Sequence, residues 1–126
     1  MADIKQEIFD YLKAEGLQPE ETRFGIYFKY QMLNFLIFHE EDDSQFFRMA
    51  LPGVCDVDEN NRADVLEATN AVNLQMKVAK AFIPDDDVWI TTEQLLDADP
   101  KYDDIIPRSL QILVQARQVL YNELQK

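Results

Sequence analysis

The stretch FGIYFKYQMLNFLIFHEEDDSQFFRMALPGV, Phe24–Val54, decides the fold. In its first part Phe24, Ile26 and Phe28 point one way, and Gly25, Tyr27 and Lys29, with Arg23 just before them, point the other. A period of two belongs to a β-strand, whose side chains alternate between faces. MLNFLIFH is more apolar, with Leu33, Phe35 and Ile37 on one face and Leu36 and Phe38 beside Asn34 on the other. The acidic EEDDS reads as a turn, and QFFRMAL as a third strand with Phe47, Met49 and Leu51 in phase. Connections this short join antiparallel neighbours, so the stretch predicts a three-stranded meander that Pro52 and Gly53 end.

Helical periods lie on either side. Asp3 with Gln6 has the spacing of a capping box, and Ile4, Ile8 and Leu12 follow at intervals of four until Gly16 and Pro19. This predicts a helix over about Ile4–Glu15. After Gly53, NRADVLEATNAVNLQM places Val65, Leu66, Thr69, Val72 and Met76 on one helical stripe. KVAKAFI and VWITTEQ then read as a hairpin joined by PDDD. The last segment carries Ile106, Leu110, Leu113, Val114, Leu120, Tyr121 and Leu124 at spacings of three and four, with Pro107 expected in the first turn. The order helix, three strands, helix, two strands, long C-terminal helix predicts an α+β domain with helices packed on one sheet. No repeat or linker divides it, so residues 1–126 are expected to form a single domain.

Composition narrows the function. Twelve Lys and Arg against 24 Asp and Glu leave a net charge of −12, which disfavours nucleic acid and anionic membranes. With three glycines and no GxGxxG or GxxxxGK[ST], no dinucleotide or phosphate-loop cofactor is expected. The single cysteine, Cys55, cannot form an intramolecular disulfide, and no apolar run approaches the roughly 20 residues that span a bilayer. No leader pattern follows Met1, and the expected location is cytoplasmic.

One stretch has the look of metal chemistry. DVDENNRADVLE, Asp56–Glu67, places Asp56, Asp58, Asn60, Asp64 and Glu67 at the oxygen-ligand places of a calcium loop. The sixth place, however, holds Asn61 instead of Gly, the eighth holds Ala63, and MALPGVC upstream reads as a strand end where an entering helix belongs. The same residues are explained by a helix start, with Asn61 as N-cap and Asp64 at the third helical position. No metal site is therefore expected. His39 beside Glu40, Glu41, Asp42 and Asp43 fits a solvated hairpin tip better than a ligand set. Cys55 lacks a basic neighbour that would activate it, and no spacing joins Ser44 or Ser109 to His39 as a triad. Trp89 alternates with Val88 and Ile90 and reads as a packing residue. The informative feature is the second strand face, where Tyr27, Leu36 and Phe38 stand where polar residues are usual. Either another part of the chain covers them or a partner does.

The order of elements over the whole chain resembles the YbjN-like bacterial domains of the type III secretion chaperone-like fold. The likeness lies in the length and acidity, in the meander that ends at Leu51, Pro52 and Gly53, and in VLEATNAVNLQM as an Asn-rich second helix. Secretion chaperones of this fold are small acidic homodimers that bind extended partner segments without catalysis. The resemblance implies a non-enzymatic, chaperone-like or adaptor module with a protein partner and a homodimeric state. It transfers no catalytic residues. The alternatives are a calcium-responsive protein using the 56–67 loop and an acidic regulator of a basic protein.

Overall fold

The computed structural model describes residues 3–38, 42, 43 and 45–126. Among these the elements run α1 (Ile4–Ala14), β1 (Glu20–Glu21), β2 (Gly25–Tyr30), β3 (Leu33–Phe38), β4 (Phe46–Leu51), α2 (Arg62–Gln75), β5 (Ala79–Phe82), β6 (Trp89–Leu95) and α3 (Tyr102–Leu124). The α+β order is the one expected, with β1 added. His39, Glu40, Glu41 and Ser44 lie outside the described residues, and with them the hairpin-tip reading and half of the triad.

Local chemistry explains most boundaries. Asp3 accepts a hydrogen bond from the Gln6 amide at 3.2 Å, so it caps α1. The reciprocal half of the box is not made, because the Gln6 side chain donates to Asp10 instead. Gln31 and Met32 both have positive φ, 51° and 66°, between the paired residues Tyr30 and Leu33. That is the geometry of a two-residue primed turn, whose twist suits a hairpin. Phe24, expected to face the core, is 58% exposed, because β2 begins only at Gly25. The Thr22 hydroxyl accepts from the Phe24 and Gly25 amides and turns the chain there.

All strand pairs are antiparallel, in the order β1-β2-β3-β4-β6-β5. The β5–β6 hairpin therefore inserts its second strand beside the meander, while β5 takes the edge. The helices pack on one face. Ile8 and Leu12 of α1, Val65 and Val72 of α2, and Leu110, Leu113 and Leu120 of α3 bury against Ile26, Phe28, Phe35, Ile37, Phe47, Met49 and Ile90. Each large side chain buried in this way contributes about 1.5–3 kcal/mol. Phe28 and Phe35 also stack, with ring centres 5.6 Å apart.

Two helix expectations need correction. Leu66 was placed on the buried stripe of α2, but it is 49% exposed, and Ala68 takes its place beside Val65, Thr69 and Val72. Pro107 is not in the first turn, because α3 starts five residues earlier at Tyr102. Pro107 itself is exposed, and the Ser109 hydroxyl donates back to the Ile105 carbonyl at 2.8 Å.

Candidate functional site

The helices leave the second face of the sheet without a helical cover among the described residues. Register assigns its side chains. Tyr27 stands opposite Leu36, Leu36 opposite Ala50, and Ala50 opposite Thr91. Trp89, Thr91 and Glu93 alternate with the core residues Ile90 and Thr92, so they share this face, as do Phe46 and Arg48.

Phe38 and Trp89 lean together across it, stacked at 6.2 Å between centres. Ala50 and Thr91, in the register positions between the two rings, are 0% and 1% exposed. The Arg48 guanidinium lies 4.2 Å over the Phe38 ring and 5.9 Å from that of Phe46. Guanidinium over a ring face is an attractive, orienting contact. Beside it Lys80 Nζ is 2.8 Å from Glu93 Oε1. That hydrogen bond is the main reason the Glu93 carboxyl is held below its ordinary range, with burial opposing. Leu95, at the end of β6, is 77% exposed.

Tyr27, Leu36 and Phe38 are thus brought together on one face, each half-buried. Cover by the C-terminal helix does not occur, since α3 packs on the opposite side. Phe46, Arg48 and Trp89 belong to the same cluster. The period-two phase of β4 and β6 held that signal, but only the strand order shows that these residues adjoin Phe38. Trp89 packs as expected, yet onto the open face and not into the core.

Each sheet edge is partly blocked. β1 has two residues, both glutamates, one place after Pro19. At the other edge Asn73 of α2 accepts from the Ala81 amide at 2.8 Å and donates to the Ala81 carbonyl at 3.1 Å. One carboxamide thus occupies both outward backbone groups of Ala81, as a further strand would.

The 56–67 loop closes on itself. Asp58 Oδ1 accepts from the Asn60 and Asn61 amides, and Asn61 Oδ1 accepts from the Asp58 amide at 2.8 Å. Asn61 precedes α2 but makes no side-chain cap, because its carboxamide is turned back onto Asp58 and the Asp56 carbonyl. β4 stands where a calcium loop has its entering helix. Among the described residues no cluster of three His, Cys, Asp or Glu could hold a metal ion.

Cys55 is half-buried with its thiol 3.5 Å from the Asp56 carbonyl, and burial, reinforced by the Asp56 charge, pushes it up. Such a thiol is a poor nucleophile. Ser109 is 2% exposed and its hydroxyl donates to the Ile105 carbonyl. Among the described residues no helix is long and apolar enough to cross a membrane.

Comparison with known proteins agrees with this architecture. The chain matches the family YbjN, described as "Putative bacterial sensory transduction regulator", over residues 5–125. Its fold is similar to that in "Crystal structure of YbjN, a putative transcription regulator from E. coli", with a TM-score of 0.69 at 12% identity, covering 91% of this chain and 87% of that one. The curated proteins contain no match. With the family match running through nearly every element from α1 to α3, the chain belongs to the YbjN family.

Proposed function

We propose that this protein is a non-enzymatic regulatory module that binds another protein through the helix-free face of its sheet. Tyr27, Leu36 and Phe38 form the centre of that surface, with Phe46, Arg48 and Trp89 beside them. The observation that carries the reading is the aromatic cluster around Arg48 on an otherwise acidic chain. Aromatic residues and arginine dominate the energetic centres of protein interfaces. Among the described residues the face carries Lys29, Arg48 and Lys80 against Glu20 and Glu93, in contrast to the acidic balance of the chain. This counts against an acidic mimic acting through it. The blunted edges favour contact by the face over strand addition. The family's description as a regulator is in keeping with such a role.

In this reading residues 1–126 act as one cytoplasmic, chaperone-like domain without a cofactor. The face joins two copies in a homodimer or seats a partner segment. The paired change Tyr27→Ala with Leu36→Asp tests it. Light scattering and capture of the native partner should show loss of the dimer or of the partner, with the circular dichroism spectrum retained. A monomer whose partner capture survives both changes refutes the proposal.

A further inference from the structure

On the helical side of the sheet a cleft of about 250 Å³ opens between α1, β2 and α3. Its walls are Leu17, Ile106, Pro107 and Leu110, and its polar groups come from Tyr11, Tyr30 and Glu15. The sequence builds it from chain reversals. Gly16, at φ +78°, ends α1 and lets the Leu17 amide bond back to the Leu12 carbonyl at 3.0 Å, which brings Leu17 to the rim. Tyr30 shares the face of Ile26 and Phe28 and stands edge-on to Phe35 at 6.3 Å. The Pro107 ring adds to the apolar wall that α3 presents with Ile106 and Leu110.

The electrostatics have one sign. The Tyr11 phenol is half-buried with Glu15 and Asp103 nearby, and burial first, then the negative charge of these carboxylates, pushes it up to about 12. The phenol therefore keeps its proton at neutral pH. The carbonyl end of α1 adds negative potential beside Glu15. Among the described residues no Lys, Arg or His lines the cleft. An anionic ligand would be opposed by Glu15 and by the net charge of −12.

We infer that this cleft binds a small organic monocation, a primary ammonium on a compact apolar body, with the ammonium at Glu15 and the body between the tyrosine rings and Ile106 and Leu110. The volume falls just below the usual range of drug-sized pockets, about 300–1,000 Å³, which fits a body no larger than a benzyl group. Tyrosine faces attract cations as well as apolar surface. The site lies on the helical side of the sheet, away from the partner-binding face, and does not depend on it.

Benzylamine, benzyl alcohol and benzoate, titrated into the full chain at neutral pH and followed by amide NMR shifts, test the assignment. Benzylamine should shift Tyr11, Leu17 and Leu110 saturably, benzyl alcohol about tenfold more weakly and benzoate not at all. Glu15→Gln should bring the amine down to the affinity of the alcohol, while the control Glu59→Gln, on the distant loop before α2, changes nothing. Tyr11→Phe should weaken both ligands. The inference is overturned if benzylamine does not saturate at millimolar concentration, if its shifts fall elsewhere, or if amine and alcohol bind alike.

Discussion

Replacing Asn73 by Ala tests the edge of the sheet. The carboxamide makes two hydrogen bonds to Ala81, at 2.8 and 3.1 Å, and Ala81 itself is 4% exposed. A typical intramolecular hydrogen bond contributes about 1 kcal/mol net, so two give about 2 kcal/mol. The Asn73 side chain is solvent-exposed and water can replace part of it, which lowers the expected loss to about 1–2 kcal/mol. Urea unfolding should show the midpoint falling by about 0.5–1 M with an unchanged slope, for slopes of about 1–3 kcal/mol/M. The bared strand should also promote concentration-dependent association.

Asn73→Asp adds a pH signature. A carboxylate still accepts from the Ala81 amide but faces the Ala81 carbonyl, so the folded state prefers the protonated acid and its pKa rises. Stability from the protonated form is then present below the unfolded carboxyl value of about 3.9 and is lost as pH rises through the folded value. The Asp variant should fall further behind the wild type from acid to neutral pH, whereas the Ala variant keeps a constant deficit. A loss below about 0.5 kcal/mol in the Ala variant refutes the edge-cap reasoning, since it is under half of one ordinary bond.

Three further outcomes follow from particular atoms. Gly25→Ala builds a Cβ into the Ile37 carbonyl at a φ of +153°, so it should cost about 3 kcal/mol or more, and a loss within about 1 kcal/mol in urea unfolding contradicts this. Thr92 is fully buried and its hydroxyl has no partner among the described residues, so Thr92→Val should stabilise by about 1 kcal/mol, and a lowered melting temperature contradicts it. Tyr102 donates to Glu7 at 2.7 Å, and burial, with that bond second, raises its pKa well above the ordinary value of about 10. Its contribution is complete below the unfolded value and lost as pH rises beyond it, so stability should fall above about pH 10 in the wild type and less steeply in Tyr102→Phe.

The meander was legible because Ile26, Phe28, Phe35 and Ile37 repeat every second residue, and one wrong phase would expose all four. The reach of that phase was not legible. Phe24 continues the alternation on paper, but Gly25 and the Thr22 turn begin the strand after it. Strand order was equally hidden. Nothing local in VWITTEQ says that it pairs with both β4 and β5, and without that insertion Trp89 has no reason to meet Phe38. Tyr27, Leu36 and Phe38 could be picked out because they are apolar on the wrong phase, while Arg48 looked like an ordinary charged position until its ring neighbours were in place. In the 56–67 loop the start of α2 was legible from Asn61 and Asp64. The direction of the Asn61 side chain was not, because Asp58 competes for the same amides.

The partly blocked margins of the sheet also bear on the stoichiometry of the proposed association. A sheet with a usable edge grows by repetition, each added chain presenting the same template to the next. Here one margin ends in two glutamates and Asn73 occupies Ala81 on the other, which turns the proposed association toward the broad face. In that reading a surface used once per chain would give pairs that terminate, one partner or one twin for each copy, and no filament.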